Sequence, residues 1–341
     1  MQPPSSRSDR TSAEARSPLP SMAHAPGKII LAGEHFVVLG APGVAMAINL
    51  HSWVRVRPKN SPGVNVDADI PLRFISGEDR NPVFPNPPGL RPLQLAAEAT
   101  LNHIKSKSSG LSVSVECEIP VAAGLGSSAS TTVAIIAAVA RSQGVELDRR
   151  QIFKLAFVPE NFLHGKSSGV DQATCTYGGM IQFTRPSSIR TLQLKKSPVI
   201  LVCDTGIHHA TKTLVGAVIE KSQRERMEFH DHLAEVREIS RGVVRALRNG
   251  DDEDLGTLMY QNHELLRKIG VSHPRVDQLV NAAKRAGALG AKMTGAGGGG
   301  CMIVLCHSNK ARDTIARILR RGGATPYKIS MDTKGVQSQT C

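Results

Sequence analysis

Residues 120–132 (PVAAGLGSSASTT) constrain the fold more than any other segment. They join LSVSVECEI, whose alternation predicts a strand, to SASTTVAIIAAVARSQ, whose almost wholly apolar composition predicts a buried helix. Gly124 and Gly126 permit a tight turn between the two, and Ser127 or Ser128 can cap the helix. The free N–H groups and positive dipole end of such a helix bind anions. The segment, which lacks the G-K-[ST] of a Walker A loop, therefore predicts either a phosphate-binding loop or an ordinary glycine turn with a serine cap.

Residues 292–300 (KMTGAGGGG) form a second glycine-rich segment, between a helical pattern and the apolar run CMIVLC. From Gly295 to Gly300, only Ala296 is not a glycine. Ordering so many glycines is costly in backbone entropy, and a flexible linker fits poorly between elements that flank it so tightly. The segment predicts a close approach of this backbone to a ligand or to another backbone.

Residues 25–40 (APGKIILAGEHFVVLG) place polar groups at both ends of a short apolar run. Lys28 opens the run, and the pair Glu34-His35 follows it. The pattern predicts a strand with a lysine and a Glu-His pair at its ends. An ordinary surface lysine with an ion pair is the alternative.

Residues 160–179 (ENFLHGKSSGVDQATCTYGG) contribute two carboxylates. Glu160 shares a helix face with His164, and Asp171 lies in an SGVD turn. A Glu and an Asp can divide the roles of Mg²⁺ ligand and general base that phosphoryl transfer requires. The alternative, a zinc site at Glu160 and His164, lacks a third ligand at suitable spacing.

The chain as a whole alternates strands and helices in an order that predicts the α+β class. KIILAGEH, VVLGAPGVAMAI, WVRVRP and PVILVCDTG are predicted strands, and RPLQLAAEATLNHIKSK is a predicted helix. Residues 1–21 are rich in Ser, Pro and Arg and are predicted to be a disordered tail. We predict an N-terminal domain over residues 22–188, a C-terminal domain over 189–335 and a short tail over 336–341.

Composition narrows the range of partners. The formal charge of +13 comes from scattered Lys and Arg residues rather than a basic tract, and aromatics make up only 4%. These features argue against a nucleic-acid partner, while an anionic substrate would benefit from the field. No run approaches the roughly 18 apolar residues of a membrane span. The six cysteines include no C-x-x-C pair, which predicts free thiols in a reducing, cytoplasmic compartment.

The four segments together resemble the GHMP kinase family of small-molecule kinases, which includes galactokinases, homoserine kinases, mevalonate kinases and phosphomevalonate kinases. The resemblance runs from residue 23 to about residue 333. PVAAGLGSSAS is similar to the family's phosphate-binding motif, and KMTGAGGGGC to its C-terminal glycine motif. HGKSSGVDQATCTYGG, CDTGIHHATKTLV and LLRKIGVSHPRVDQLV most resemble the mevalonate kinase branch.

The resemblance implies a fold and an activity. The fold would be an N-terminal domain like ribosomal S5 domain 2 and a C-terminal ferredoxin-like domain, with the site between them. The activity would be ATP- and Mg²⁺-dependent phosphorylation of the primary hydroxyl of mevalonate, in the mevalonate pathway of isoprenoid biosynthesis. The alternative is another kinase of the family, such as phosphomevalonate kinase. A homodimer is compatible with the family, and a membrane or nucleic-acid partner is not expected.

The resemblance also implies roles for residues. Asp171 would accept the proton of the substrate hydroxyl, and Lys28 would orient Asp171 and stabilise charge. Glu160 would hold Mg²⁺ together with Ser128, or with Ser127 as the near alternative. The nucleotide would lie along Gly124, Leu125, Gly126, Ser127, Ser128 and Ala129. The substrate side would comprise Glu34, His35, Thr176, Tyr177, Gly295 and Ala296.

Three features depart from the family pattern. Ser167, after Lys166, stands where the family usually has a proline. Pro159 precedes Glu160, where it is expected to kink the helix. His208 and His209 stand where Pro-Arg or a similar pair is expected. A basic nucleic-acid-binding protein and a catalytically silent sugar sensor are the remaining alternatives, and the retained Lys28, Glu160 and Asp171 argue against the sensor.

Overall fold

The computed structural model describes residues 18–69, 90–106, 110–164, 167–185, 188–207 and 211–341. Within these ranges, the strands are β1 (Ser21–Ala32), β2 (Gly43–Pro58), β3 (Gly63–Asp69), β4 (Gly110–Cys117), β5 (Met180–Thr184), β6 (Ser188–Thr191), β7 (Val199–Asp204), β8 (Gly290–Met293), β9 (Cys301–Cys306), β10 (Thr325–Lys328) and β11 (Gln337–Thr340). The α-helices are α1 (Arg91–His103), α2 (Ser127–Ser142), α3 (Arg149–Leu155), α4 (Phe157–His164), α5 (Val170–Tyr177), α6 (Thr211–Arg224), α7 (Arg226–Asn249), α8 (Asp252–Lys268), α9 (Pro274–Arg285) and α10 (Asn309–Arg321). A 3-10 helix, η1, covers His35–Leu39.

Two sheets organise the molecule. The first has the order β11-β1-β2-β4-β3, and β5 pairs with β2 and carries β6 at its outer edge. Helix α2 lies against β1 and β2 and is buried almost throughout, as its apolar sequence predicts. The second sheet is antiparallel, with the order β10-β7-β9-β8, and packs against α8, α9 and α10. The arrangement is the predicted α+β class.

One hydrophobic core runs from the first sheet into the second. It includes Ile29 and Leu31 of β1 together with Val202 of β7 and Leu305 of β9, all fully buried. Burial of this apolar surface holds β1 close to the second sheet. The second half of β1, which carries Lys28, therefore lies where elements of both sheets meet.

The chain changes sheet later than the domain prediction has it, and it returns at its end. Residues from Ser188 to Thr191 still pair with β5, and the second sheet begins at Val199. The prediction of a tail over residues 336–341 is wrong, because Gln337–Thr340 form β11 and pair antiparallel with β1. This pairing covers an edge of β1 that would otherwise leave backbone groups unpaired.

Two local predictions are also wrong. The predicted strand VVLGAPGVAMAI is split, because Val37 to Leu39 belong to η1, which ends at Gly40 with φ 87° before β2 begins. Pro159 does not kink a continuous helix, because α3 ends at Leu155 and α4 starts at Phe157. Proline is tolerated in the first turn of a helix, where its missing N–H has no intrahelical acceptor.

All six cysteines are free thiols, as predicted. No helix in the described ranges is both long and apolar enough to cross a membrane.

Candidate active site

Lys28 and Asp171 form an ion pair where β1 meets α5. Lys28 Nζ lies 3.0 Å from Asp171 Oδ2 and donates a hydrogen bond to Gly124 O at 3.0 Å. The Lys28 side chain is 3% exposed, whereas that of Asp171 is 33% exposed. Asp171 stands in the first turn of α5, directed there by Gly169 at φ 96°. The pair therefore combines a fixed amine with a carboxylate that solvent or a substrate can reach.

The first glycine loop wraps closely around Lys28. Gly126 is the N-cap of α2 in the left-handed region, at φ 76°. A Cβ atom there would lie 2.8 Å from Lys28 Cγ. The backbone of Lys28 also donates to Leu125 O at 2.8 Å. Because glycine has no Cβ, the aliphatic part of the Lys28 side chain can pass beside the N-terminus of α2.

We expect Gly126→Ala to lower kcat as well as raise the ATP KM, because the new Cβ displaces Lys28 along with crowding the loop. Gly144→Ala is the matched control: Gly144 has a similar φ of 73°, but nothing lies within 4 Å of its Cβ position. Both variants carry the same left-handed strain, of about 1 kcal/mol. Steady-state kinetics should separate them, and equal kcat values would contradict the crowding of Lys28.

The second glycine loop is ordered by contacts to other backbone segments. A Cβ on Gly295 would lie 2.8 Å from Gly124 Cα, so the two glycine loops meet backbone to backbone. Gly298 N donates to Val271 O at 2.9 Å, and Cys301 N donates to Ala123 O at 2.9 Å. Of the two predicted explanations for the glycine run, close approach to another backbone is confirmed.

Ser128 and Glu160 form the third part of the site. Ser128 Oγ donates to Glu160 Oε1 at 2.5 Å, joining the N-terminus of α2 to α4. Glu160 is 4% exposed, and burial raises its pKa to about 7. The Asp171 charge contributes to this rise in pKa, whereas the Ser128 hydrogen bond and the Lys28 charge oppose it. A buried carboxylate beside a hydroxyl is thus held where its charged form is poorly solvated.

The zinc alternative receives no support from the described residues. They contain no group of three or more His, Cys, Asp and Glu residues arranged to hold a metal ion. The side chain of His164 itself lies outside the described part of the chain.

His35 and Ala296, both predicted on the substrate side, are in contact. His35 Nε2 lies 2.8 Å from Ala296 O, and burial lowers the pKa of the imidazole. Its Nδ1 is buried and has no hydrogen-bond partner within the described ranges. Gly295, next to Ala296, faces the first glycine loop.

Glu34 differs from the prediction of a substrate-facing carboxylate. It forms an ion pair through Oε1 with Lys292, and its Oε2 accepts a hydrogen bond from Asn262 Nδ2 at 2.9 Å. The side chains of Glu34 and Lys292 are 1% and 0% exposed. Sequence reasoning missed Lys292 and Asn262 as members of this region. The signal for Lys292 is its position at the head of the second glycine segment.

Thr176 and Tyr177 are not brought to the Lys28–Asp171 pair. They end α5, about 8 Å along its axis from Asp171 at the usual rise per residue. Thr176 is fully buried, and its carbonyl accepts a hydrogen bond from Val336 N at 3.3 Å. The two residues contact the returning C-terminal segment and the neighbouring Arg149, which donates to Tyr177 O at 3.2 Å.

The departures from the family pattern fall in two groups. Ser167 Oγ accepts a hydrogen bond from Gln172 Nε2 at 2.7 Å, and Ser167 N donates to Asn161 Oδ1 at 3.2 Å. Ser167 therefore ties the turn before Asp171 to both α4 and α5. Lys166, His208 and His209 lie outside the described residues.

Comparison with known proteins identifies the family. The models for the GHMP kinases N-terminal domain and the GHMP kinases C-terminal region match residues 93–179 and 243–325. A mevalonate kinase of Pyrococcus furiosus is 36% identical over 93% of this chain and 97% of its own length. The chain belongs to the GHMP kinase family. The predicted GHMP kinase fold, with its S5-like and ferredoxin-like domains, is thereby confirmed.

Other proteins also match this GHMP kinase over most of its length. A mevalonate kinase of Methanocaldococcus jannaschii is 32% identical over 86% of this chain and 94% of its own length. The crystal structure of L. major mevalonate kinase in complex with R-mevalonate matches with a TM-score of 0.78 and 29% identity, covering 91% of this chain and 95% of that one. A Streptococcus pneumoniae phosphomevalonate kinase has a TM-score of 0.72 but 18% identity, covering 92% of this chain and 99% of that one, and shows the fold alone.

Proposed function

We propose that this GHMP kinase transfers the γ-phosphoryl group of ATP to the primary hydroxyl of mevalonate, giving 5-phosphomevalonate and ADP in isoprenoid biosynthesis. The observation that carries the proposal is the Lys28–Asp171 ion pair beside the first glycine loop, which leads into α2 and contacts the second glycine loop. The mevalonate kinases that match this chain over most of its length support the choice of alcohol.

The triphosphate of ATP lies along residues 124–129 in this proposal. These residues lead into α2, a 16-residue helix whose first N–H groups and dipole favour anions. Lys28 adds a positive charge beside the same loop. Phosphoryl transfer depends on positioning and charge stabilisation, both of which this arrangement supplies.

Asp171 accepts the proton of the attacking hydroxyl. Its carboxylate is part-exposed, so an alcohol can reach it, while the contact with Lys28 fixes its orientation. Lys28 stabilises the negative charge that develops on the transferring group and on the hydroxyl oxygen. In this proposal His35 lies on the substrate side. Its Nε2 donates to Ala296 O, so the unpartnered Nδ1 of the neutral ring is an acceptor for an alcohol hydroxyl.

Ser128 and Glu160 fit a Mg²⁺ ion. Mg²⁺ prefers carboxylate and hydroxyl oxygens together with substrate phosphates, and the Glu160 carboxylate is buried beside the Ser128 hydroxyl. A divalent cation there would favour the charged form that burial disfavours. When bound, the ion neutralises charge on the phosphates of ATP.

A coupled ADP-release assay with mevalonate, phosphomevalonate, galactose and homoserine tests the proposal. We expect turnover with mevalonate and turnover at least about tenfold slower with the other three, in line with the discrimination that a site built to hydrogen-bond its own substrate can achieve. Release of ADP with phosphomevalonate alone would favour the alternative member of the family.

A further inference from the structure

Lys292, at the third position of β8, is fully buried, and its ammonium group has three hydrogen-bond acceptors. Besides its ion pair with Glu34, its Nζ donates to Ile30 O at 3.2 Å and to Met293 O at 2.7 Å. The second oxygen of Glu34 accepts from Asn262 of α8 at 2.9 Å. Each proton of the ammonium group and each oxygen of the carboxylate thus has a partner.

These contacts join the strand of Lys28 to the loop of Ala296. Ile30 is two positions beyond Lys28 on β1, and its N–H donates to Thr294 Oγ1 at 2.8 Å. Glu34 directly precedes His35, whose ring reaches Ala296 O. The Lys292–Glu34 pair therefore links β1, which carries Lys28, to the second glycine loop, which carries Ala296.

A buried ion pair is a poor means of gaining stability alone. Apolar residues of similar volume commonly replace such a pair without loss, whereas removal of one partner leaves an uncompensated buried charge. Burial lowers the pKa of Lys292, the Glu34 charge counteracts this, and the nearby Lys28 charge lowers it further. The ammonium groups of Lys28 and Lys292 are close enough to repel each other, and the Glu34 carboxylate offsets the charge of Lys292.

We propose that Lys292 and Glu34 are positioning residues for phosphoryl transfer, fixing β1 and η1 against the second glycine loop. In this role they set the places of the Lys28 amine and the His35 ring. Glu34 then acts through its neighbours rather than by touching the substrate. The inference rests on the proposed kinase activity.

The test compares Lys292→Met, Glu34→Gln and the double variant with wild type, by kcat and by melting temperature. Lys328→Met is the control, because it breaks an exposed ion pair with Asp313 at the edge of the second sheet. We expect each single variant to melt lower and to lose kcat by about tenfold or more, as small misplacements of reacting groups do. The double variant should regain most of the lost melting temperature, because neither charge is left unpaired, but not kcat.

Recovery of kcat together with the melting temperature in the double variant would overturn the inference, because the pair would then be structural only. So would a single variant with wild-type kcat. The assay uses whichever of the four alcohols the wild type phosphorylates. Wild-type activity on an alcohol other than mevalonate would contradict the proposed substrate alone, and the variants would still decide the role of the pair.

Discussion

Asp171→Asn is expected to reduce kcat by a factor of order 10² or more, the scale of losing a general base. The amide keeps the shape of the carboxylate but cannot accept the proton of the attacking hydroxyl. Lys28 retains its hydrogen bond to Gly124 O and should stay near its place. Binding of ATP and of mevalonate should therefore change little, as isothermal titration with a nonhydrolysable ATP analogue and with mevalonate would show.

The control for this prediction is Asp313→Asn. Asp313 of α10 lies 3.0 Å from Lys328 of β10, the same separation as between Asp171 and Lys28, but both side chains of this pair are exposed. If the Lys28–Asp171 pair were only an ion pair that supports the fold, both variants would keep their turnover. More than about a tenth of kcat remaining in Asp171→Asn would contradict the base mechanism and favour catalysis by positioning alone.

Those parts of the site that depend on local chemistry could be predicted from sequence. Gly124 and Gly126 adopt positive φ, which glycine accommodates most readily, so their spacing before an apolar helix was informative. The identity of Asp171 and Glu160 as the site's carboxylates followed from the resemblance to the family. The contact of Asp171 with Lys28, more than 130 positions away in sequence, could not be derived from periodicity.

Long-range pairings account for the errors. Lys292 and Glu34 are separated by 258 positions, and no local pattern distinguishes a lysine that is buried and paired from one at the surface. The same holds for β11, whose polar residues Gln337–Thr340 resemble a tail and become a strand only because the edge of β1 is open to them. Such contacts are decided by the tertiary fold, which overrides local preference.

Glu160→Gln is expected to depress kcat by about 10² or more even at saturating Mg²⁺. It removes the negative carboxylate that would hold the Mg²⁺ ion, and the ion would stabilise the negative charge of the transition state. The Gln amide preserves the shape and can still accept the Ser128 hydrogen bond. Glu146→Gln is the matched control, since Glu146 forms an exposed ion pair with Arg141 at the other end of α2. Turnover near the wild-type value at saturating Mg²⁺ would contradict the assignment of Glu160 as a ligand.

The same variant should increase the stability of the protein without ATP and Mg²⁺. Burial raises the pKa of Glu160 from 4.5 to about 7, so the folded state holds a proton that the unfolded state releases between these values. The stability associated with the protonated carboxyl is fully present below pH 4.5 and is lost as the pH rises to about 7. At pH 8, the wild type therefore carries a penalty in unfolding free energy on the order of 3 kcal/mol that the uncharged Gln avoids.

Urea unfolding of the wild type and Glu160→Gln at pH 4.5 and pH 8 should show a difference in stability between the two proteins that grows with pH. Equal stability at pH 8 would mean that burial does not disfavour the charged carboxylate, and the argument that a divalent cation offsets this cost would fail with it.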